Sequence, residues 1–274
     1  MLSRVLFVLA ACCVALPAVA VELVLDGPLT QGALVVGRAP PGAAVTLDGA
    51  PVRTSDDGHF LLGFGRDAPA SAELTVRLAD GRTERRQLQV AARDYDIQRI
   101  DGLPQRKVVP KPEDLARIRA DSAAVGRARR RDDARTDFLS GWIWPVEGRI
   151  SGVYGSQRVL NGEPRRPHFG VDIAAPAGTP IVAPADGVVS LLHPDMFYSG
   201  VTLLIDHGHG LSTAYLHMKR ALVEEGQRVS RGEVIGEVGA SGRATGPHLH
   251  WGMNLFKTRL DPAVLVGPMP EAVD

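Results

Sequence analysis

Between Val21 and Ala92 the chain runs in short apolar or alternating stretches, such as Ala33-Leu34-Val35-Val36 and Glu73-Leu74-Thr75-Val76-Arg77-Leu78, parted by Asp48-Gly49, Asp57-Gly58 and Asp80-Gly81. Alternation with a period of two sets one strand face on a core and the other in water, and Asp-Gly pairs accept the left-handed backbone of tight hairpins. The pattern predicts a small antiparallel β-sandwich over residues 21–92. Its one histidine, His59, follows a turn and has no second metal-ligating side chain at a suggestive spacing. A spacer or binding role is expected of this part.

Over residues 93–140 the pattern gives way to dense mixed charge, with Pro104, Pro110 and Pro112 leading into Glu113-Asp114-Leu115-Ala116-Arg117-Ile118-Arg119. Proline and acids suit the first turn of a helix, where an N–H is spare and the helix dipole is positive. The sparse apolar stripe predicts a surface helix in a charged, partly flexible linker. The run from Arg127 to Arg135, broken by Asp132 and Asp133, reads as a solvated helix face.

Strand patterns return over residues 141–266, where Ala177-Gly178-Thr179-Pro180-Ile181-Val182-Ala183-Pro184-Ala185-Asp186-Gly187-Val188-Val189 is echoed by Glu225-Gly226-Gln227-Arg228-Val229-Ser230-Arg231-Gly232-Glu233-Val234-Ile235-Gly236. Apolar residues around tight turns point to one compact β domain, followed by a tail at 267–274. The predicted class is mainly β: sandwich, charged helical linker, and compact antiparallel β domain.

Composition agrees with many strands and turns, because 274 residues include 30 glycines and 20 prolines but only 5% aromatics. The 31 basic and 31 acidic side chains cancel, so no long-range field steers nucleic acid to the surface, and none is expected as a partner. At the N-terminus Arg4, the apolar run Val5 to Leu16 and Ala18-Val19-Ala20 read as a signal peptide over residues 1–20, implying export to the periplasm or cell envelope. That run is too short to cross about 30 Å of hydrocarbon. Leu9-Ala10-Ala11-Cys12 offers a second route, a lipid anchor on Cys12, against which the apolar stretch from Val14 to Val21 stands where a polar tether is expected. Cys12 and Cys13 are the only cysteines. Any metal site beyond them must use His, Asp or Glu.

Seven of the eight histidines follow residue 167, and His168, Asp172, His217, His248 and His250 crowd into a short span. On a straight strand His168 and Asp172 would share a face but lie about 13 Å apart, at roughly 3.3 Å per residue. Gly170 between them can take the bend that brings both to one metal. His248 and His250, at i and i+2, point to one side of a strand with Leu249 on the other. Imidazoles and a carboxylate without thiolates suit a catalytic zinc site, which needs three protein ligands and leaves two of the five groups for proton transfer and transition-state stabilisation. Asp206-His207-Gly208-His209-Gly210 reads first as a hairpin turn, and His193 stands apart. Tyr154, Arg158 and Asn161 precede the first motif and line a cleft or pack a loop. Arg149, Arg158, Arg165 and Arg166 are candidate partners for a peptide carboxylate, with surface solvation the alternative.

His168-x-x-x-Asp172, Tyr215-Leu216-His217 and Gly246-Pro247-His248-Leu249-His250 together resemble the three signature segments of the lysostaphin-like metallopeptidases. The resemblance spans approximately Trp142 to Leu265 and includes the flanking Gly-Val-Asp-Ile-Ala-Ala-Pro and Val-Ala-Pro-Ala-Asp-Gly-Val-Val phrases. It implies Zn2+ held by His168, Asp172 and His250, with His217 and His248 catalytic. It further implies an endopeptidase acting on peptide cross-links of bacterial peptidoglycan, a monomer open to a regulatory protein. The alternative is a catalytically silent wall-binding protein that activates a separate amidase. Which cross-link is cut does not follow from these residues.

Overall fold

The computed structural model describes residues 22–100, 111–160 and 162–270. The expected signal peptide, Cys12, Pro104, Pro110 and Asn161 lie outside the described residues. Seven strands come first: β1 (Val24–Asp26), β2 (Leu34–Arg38), β3 (Ala44–Leu47), β4 (Ala50–Val52), β5 (His59–Gly63), β6 (Ser71–Arg77) and β7 (Thr83–Gln89). One antiparallel sheet runs β1-β2-β5 and the other β4-β3-β6-β7. They close on Val35, Phe60, Leu62, Leu74 and Val76, all fully buried. Asp48 and Gly49 take φ of 49° and 77° between β3 and β4, the left-handed pair that a two-residue hairpin requires.

Next come β8 (Ile97–Ile100) and, after a 3-10 turn at Pro112–Asp114, the helix α1 (Leu115–Ala128). The helix begins where proline and acids forecast it. The charged run does not continue as a helix face, because α1 stops at Ala128. Beyond it, Arg135 and Arg131 pair with Asp206, which is only 1% exposed. A carboxylate so deeply buried needs cationic partners, and these tie the end of the linker to the sheet that follows.

The strands that follow are β9 (Arg149–Gly152), β10 (Gln157–Leu160), β11 (Glu163–Pro164), β12 (Val171–Ala174), β13 (Pro180–Val182), β14 (Gly187–Met196), β15 (Gly200–Asp206), β16 (Leu211–Met218), β17 (Arg220–Ala221), β18 (Arg228–Val229), β19 (Val234–Glu237), β20 (His248–Leu255) and β21 (Thr258–Leu260), distributed over three sheets. The largest runs β18-β14-β15-β16-β20-β12-β9, with β21 on β20. A second runs β13-β19-β17, and β10 joins β11 to β8 by a parallel pairing with β8. The two stretches that echo each other lie side by side, β13 against β19 and the start of β14 against β18.

Alternation decides which face of the large sheet does what. Leu203, Ile205, Tyr215, Leu249 and Trp251 enter the main core, whereas Leu204, Ala214 and Leu216 form a second cluster with Val125 of α1. His248 and His250 alternate with Leu249 and Trp251, so they stand on the α1 side of the sheet. The sandwich joins this body through Leu34 and Leu61, which pack with Phe138, Leu211, Met253 and Leu260. Each such side chain, fully buried, contributes roughly 1.5–3 kcal/mol, so the two parts are coupled by a shared apolar cluster.

Candidate metal centre and active site

The site is assembled by strand register. Antiparallel pairing of β12 with β20 sets Asp172 directly opposite His250 and Ala174 opposite His248. On the other side of β12, Gly152 lies opposite Asp172, and a Cβ there would fall 2.6 Å from Asp172 Oδ2. Glycine keeps that space for the carboxylate. His168 precedes β12 in a loop, and the chain bends at Gly170 before the strand begins. The demand on Gly170 is closeness as well as the bend: a Cβ would meet the Trp251 carbonyl oxygen at 2.6 Å and His250 Nε2 at 2.7 Å.

These constraints bring three donor atoms to one point. His168 Nε2 lies 3.0 Å from Asp172 Oδ1 and 3.0 Å from His250 Nδ1, and His250 Nδ1 lies 2.8 Å from the same oxygen. Together they form a group able to hold a metal ion. His168 Nδ1 donates to the Val153 carbonyl at 3.0 Å, which fixes the tautomer and aims the Nε2 lone pair inward. Two imidazole lone pairs and a carboxylate oxygen this close repel one another unless a cation or proton sits among them. Burial works against a proton on His168, but the hydrogen bond and charge of Asp172 outweigh it and lift that imidazole above its ordinary range. Burial likewise disfavours the Asp172 anion, yet the bonds from His168 and His250 hold its carboxyl far below the usual range. At His250 burial prevails over Asp172 and pushes the imidazole down. Two imidazoles and an anionic carboxylate converging on one point, where a cation can take the place of the His168 proton, form a donor set that fits zinc.

His217 and His248 complete the cluster, with ring centres 4.8 Å apart, and His217 stands 6.4 Å from His250. His217 Nδ1 donates to the Ser241 carbonyl at 2.8 Å and His248 Nδ1 to the Gly246 carbonyl at 2.9 Å. A carbonyl only accepts, so each Nδ1 carries the proton and each Nε2 is left as the basic position. His217 has φ of 63° at the end of β16. A non-glycine residue held there is strained, as chemistry-bearing residues often are. Burial, with His248 and His250 close by, pushes His217 downward.

The remaining candidates separate from this cluster. Tyr154 is buried and donates to the Arg259 carbonyl at 2.8 Å, a packing role, and Arg158 is exposed on β10. His193 Nδ1 accepts from the Asp195 N–H at 3.1 Å. The Asp206-to-Gly210 stretch does form the β15–β16 turn, with Gly208, His209 and Gly210 all at positive φ. His207, however, is fully buried between the Asp186 carbonyl and Thr213. The carbonyl anchors at Val153, Ser241 and Gly246 were not foreseen. They are backbone groups, and no side-chain pattern announces them.

Residues 166–262 match the sequence profile of peptidase family M23. Peptidoglycan DD-endopeptidase ShyA of Vibrio cholerae is 46% identical over 113 residues, which are 39% of this chain and 26% of that protein. DD-carboxypeptidase/endopeptidase Mpg of Neisseria meningitidis is 40% identical over 126 residues, 46% of this chain and 29% of that protein. The matched regions thus span about a quarter of the length of these curated relatives. A solved Pseudomonas aeruginosa structure described as a peptidase M23 aligns with a TM-score of 0.66 at 33% identity, covering 87% of this chain and 95% of that one. A mainly β fold, the matched region around the histidine and aspartate cluster, and likeness over nearly the whole of that structure place this chain in peptidase family M23.

Proposed function

We propose that the chain is an exported zinc endopeptidase that hydrolyses peptide cross-links of bacterial peptidoglycan, the DD-endopeptidase activity named for its relatives. The observation that carries the reading is the convergence of His168, Asp172 and His250 within 3.0 Å of one another beside the paired rings of His217 and His248. In this reading the first three hold zinc, which when bound supplies Lewis-acid polarisation of the scissile carbonyl and the attacking water. His217 and His248 present free Nε2 atoms on the same face. One takes the proton of the attacking water; the other, protonated, holds the charge developing on the carbonyl oxygen and returns a proton to the leaving amine.

The backbone carbonyls behind each imidazole keep these tautomers in place without a second acid. A silent wall-binding protein would not need all five groups assembled, which favours the enzyme. Incubating the purified chain with sacculi of defined cross-link, then weighing the released fragments, tests the reading. Dimeric fragments converted to monomers with uptake of one water per bond are expected, and undigested dimers would refute it.

A further inference from the structure

On the sheet face that carries His248 and His250, a cavity of about 990 Å³ lies among α1, the β4 and β5 edge of the sandwich, and strands β15, β16 and β20. Five arginines line it: Arg53, which pairs with Asp132, Arg130, Arg129 directly after α1, Arg166 two residues before His168, and Arg259 in β21. The guanidinium carbons of Arg166 and Arg259 sit 5.6 Å and 5.3 Å from the centre of one ring, that of Phe169, the neighbour of His168. At its other end the cavity reaches Leu216 and Ser199, whose carbonyl accepts the His217 N–H at 2.9 Å. The cavity thus reaches residues within two positions of His168 and of His217, while none of the five site side chains lines it.

Several arginines elsewhere in the fold are paired with carboxylates, Arg93 with Asp261 and Arg135 with Asp206 among them. Arg129, Arg166 and Arg259 have no carboxylate partner among the described residues. Gathering them unpaired is costly: burial and then the other two guanidiniums push Arg259 down to about 9, and burial with Arg166 pushes Arg129 to about 10. Polar atoms around them are also unmatched. Asn254, only 2% exposed, is among the residues lining the cavity, and its Nδ2 and Arg129 Nε have no hydrogen-bond partner among the described residues. Buried donors are satisfied in folded proteins as a rule, so two unmatched donors on residues of one cavity point to a place for a ligand.

Resting on the peptidase reading, we propose that this cavity seats a peptide strand leading to the metal centre, and that Arg129, Arg166 and Arg259 clamp its free carboxylate. Guanidinium forks match a carboxylate with two parallel hydrogen bonds. Apolar walls such as Val125, Leu204 and Leu216 suit a peptide better than a free inorganic anion.

Calorimetric titration of the zinc-loaded full chain tests this with three probes: a short peptide ending in D-alanine as the free acid, the same peptide as its C-terminal amide, and inorganic phosphate. The acid is expected to bind about tenfold or more tighter than either other probe. Arg129→Gln and Arg259→Gln should each shrink the acid-to-amide ratio to about threefold or less, and each should raise the melting temperature of the unliganded protein by relieving uncompensated charge. Equal binding of acid and amide, or a preference that survives both substitutions, would overturn the proposal. Phosphate binding as tightly as the acid would overturn the peptide assignment in favour of a general anion site. Binding is read here without turnover, so failure leaves the hydrolase reading standing, and absent hydrolysis leaves this site standing.

Discussion

Asp172 faces His250 across the β12–β20 ladder, and Asp172 Oδ1 lies 2.8 Å from His250 Nδ1. Register alone therefore brings two of the three proposed ligands together. Asp172→Ala should remove the central anion and drop bound zinc from about one per chain to near zero. Far-ultraviolet circular dichroism should stay close to the parent, because Ile173, Leu249 and Trp251 still fill the core. Full zinc occupancy in this variant, measured by atomic emission, would remove Asp172 from the ligand set.

Gly170 offers a subtler test, since a Cβ there meets the Trp251 carbonyl oxygen at 2.6 Å and the His250 ring at 2.7 Å. Backbone cannot yield cheaply, so the imidazole must. Gly170→Ala is expected to weaken zinc binding by roughly 10–100-fold, the range typical of disturbed ligand support, with all ligands still present. An unchanged zinc dissociation constant by competition with a chelator would show that the ring is not held as described.

His217→Ala and His248→Ala should separate binding from chemistry. Both leave His168, Asp172 and His250 untouched, so zinc content should hold near one per chain while kcat/KM on a cross-linked muropeptide falls by about 100-fold or more. Near-normal turnover by either variant would remove that histidine from the proposed chemistry.

His207 predicts a pH dependence of stability. Its Nδ1 donates to the Asp186 carbonyl at 2.6 Å, leaving Nε2 to accept from Thr213 Oγ1 at 2.8 Å. Burial holds this imidazole neutral and pushes it down to about 4. Above the unfolded value near 6.5 neither state binds the proton, and the neutral form costs nothing. As pH falls from about 6.5 toward 4 the unfolded chain takes a proton that the folded chain refuses, so stability is lost, by about 3 kcal/mol once pH is below both values. Urea unfolding at pH 7.5 and pH 4.5 should show a larger acid loss for the parent than for His207→Gln. Equal losses would contradict a neutral buried His207.

Much of this was legible in the sequence because the signals were local. Asp48-Gly49 and Asp80-Gly81 mark hairpins through backbone conformations that few residues accept. His248 and His250 declare a shared face by a spacing of two, and Pro112-Glu113-Asp114 announces a helix start. What escaped is non-local. Nothing near Ile97 reveals a parallel partner at Gln157, and Arg135 carries no sign that Asp206 lies buried beneath it. The unpaired Arg129, Arg166 and Arg259 are far apart in the chain and meet only in the fold. Of these only Arg166 stood among the sequence candidates for a carboxylate. Its partners lie in α1's exit and in β21, where spacing holds no information about proximity.

The central claim, that these five groups form a zinc-dependent peptide hydrolase, is tested most directly by one turnover measurement. A purified D-alanyl cross-linked muropeptide dimer is incubated with the full chain after chelation and again after one equivalent of zinc is restored, and the products are weighed by mass spectrometry. The account predicts intact dimer in the chelated sample and, with zinc, two monomers whose summed mass exceeds the dimer by one water. Intact dimer at full zinc occupancy, or equal cleavage in the chelated sample, would contradict it.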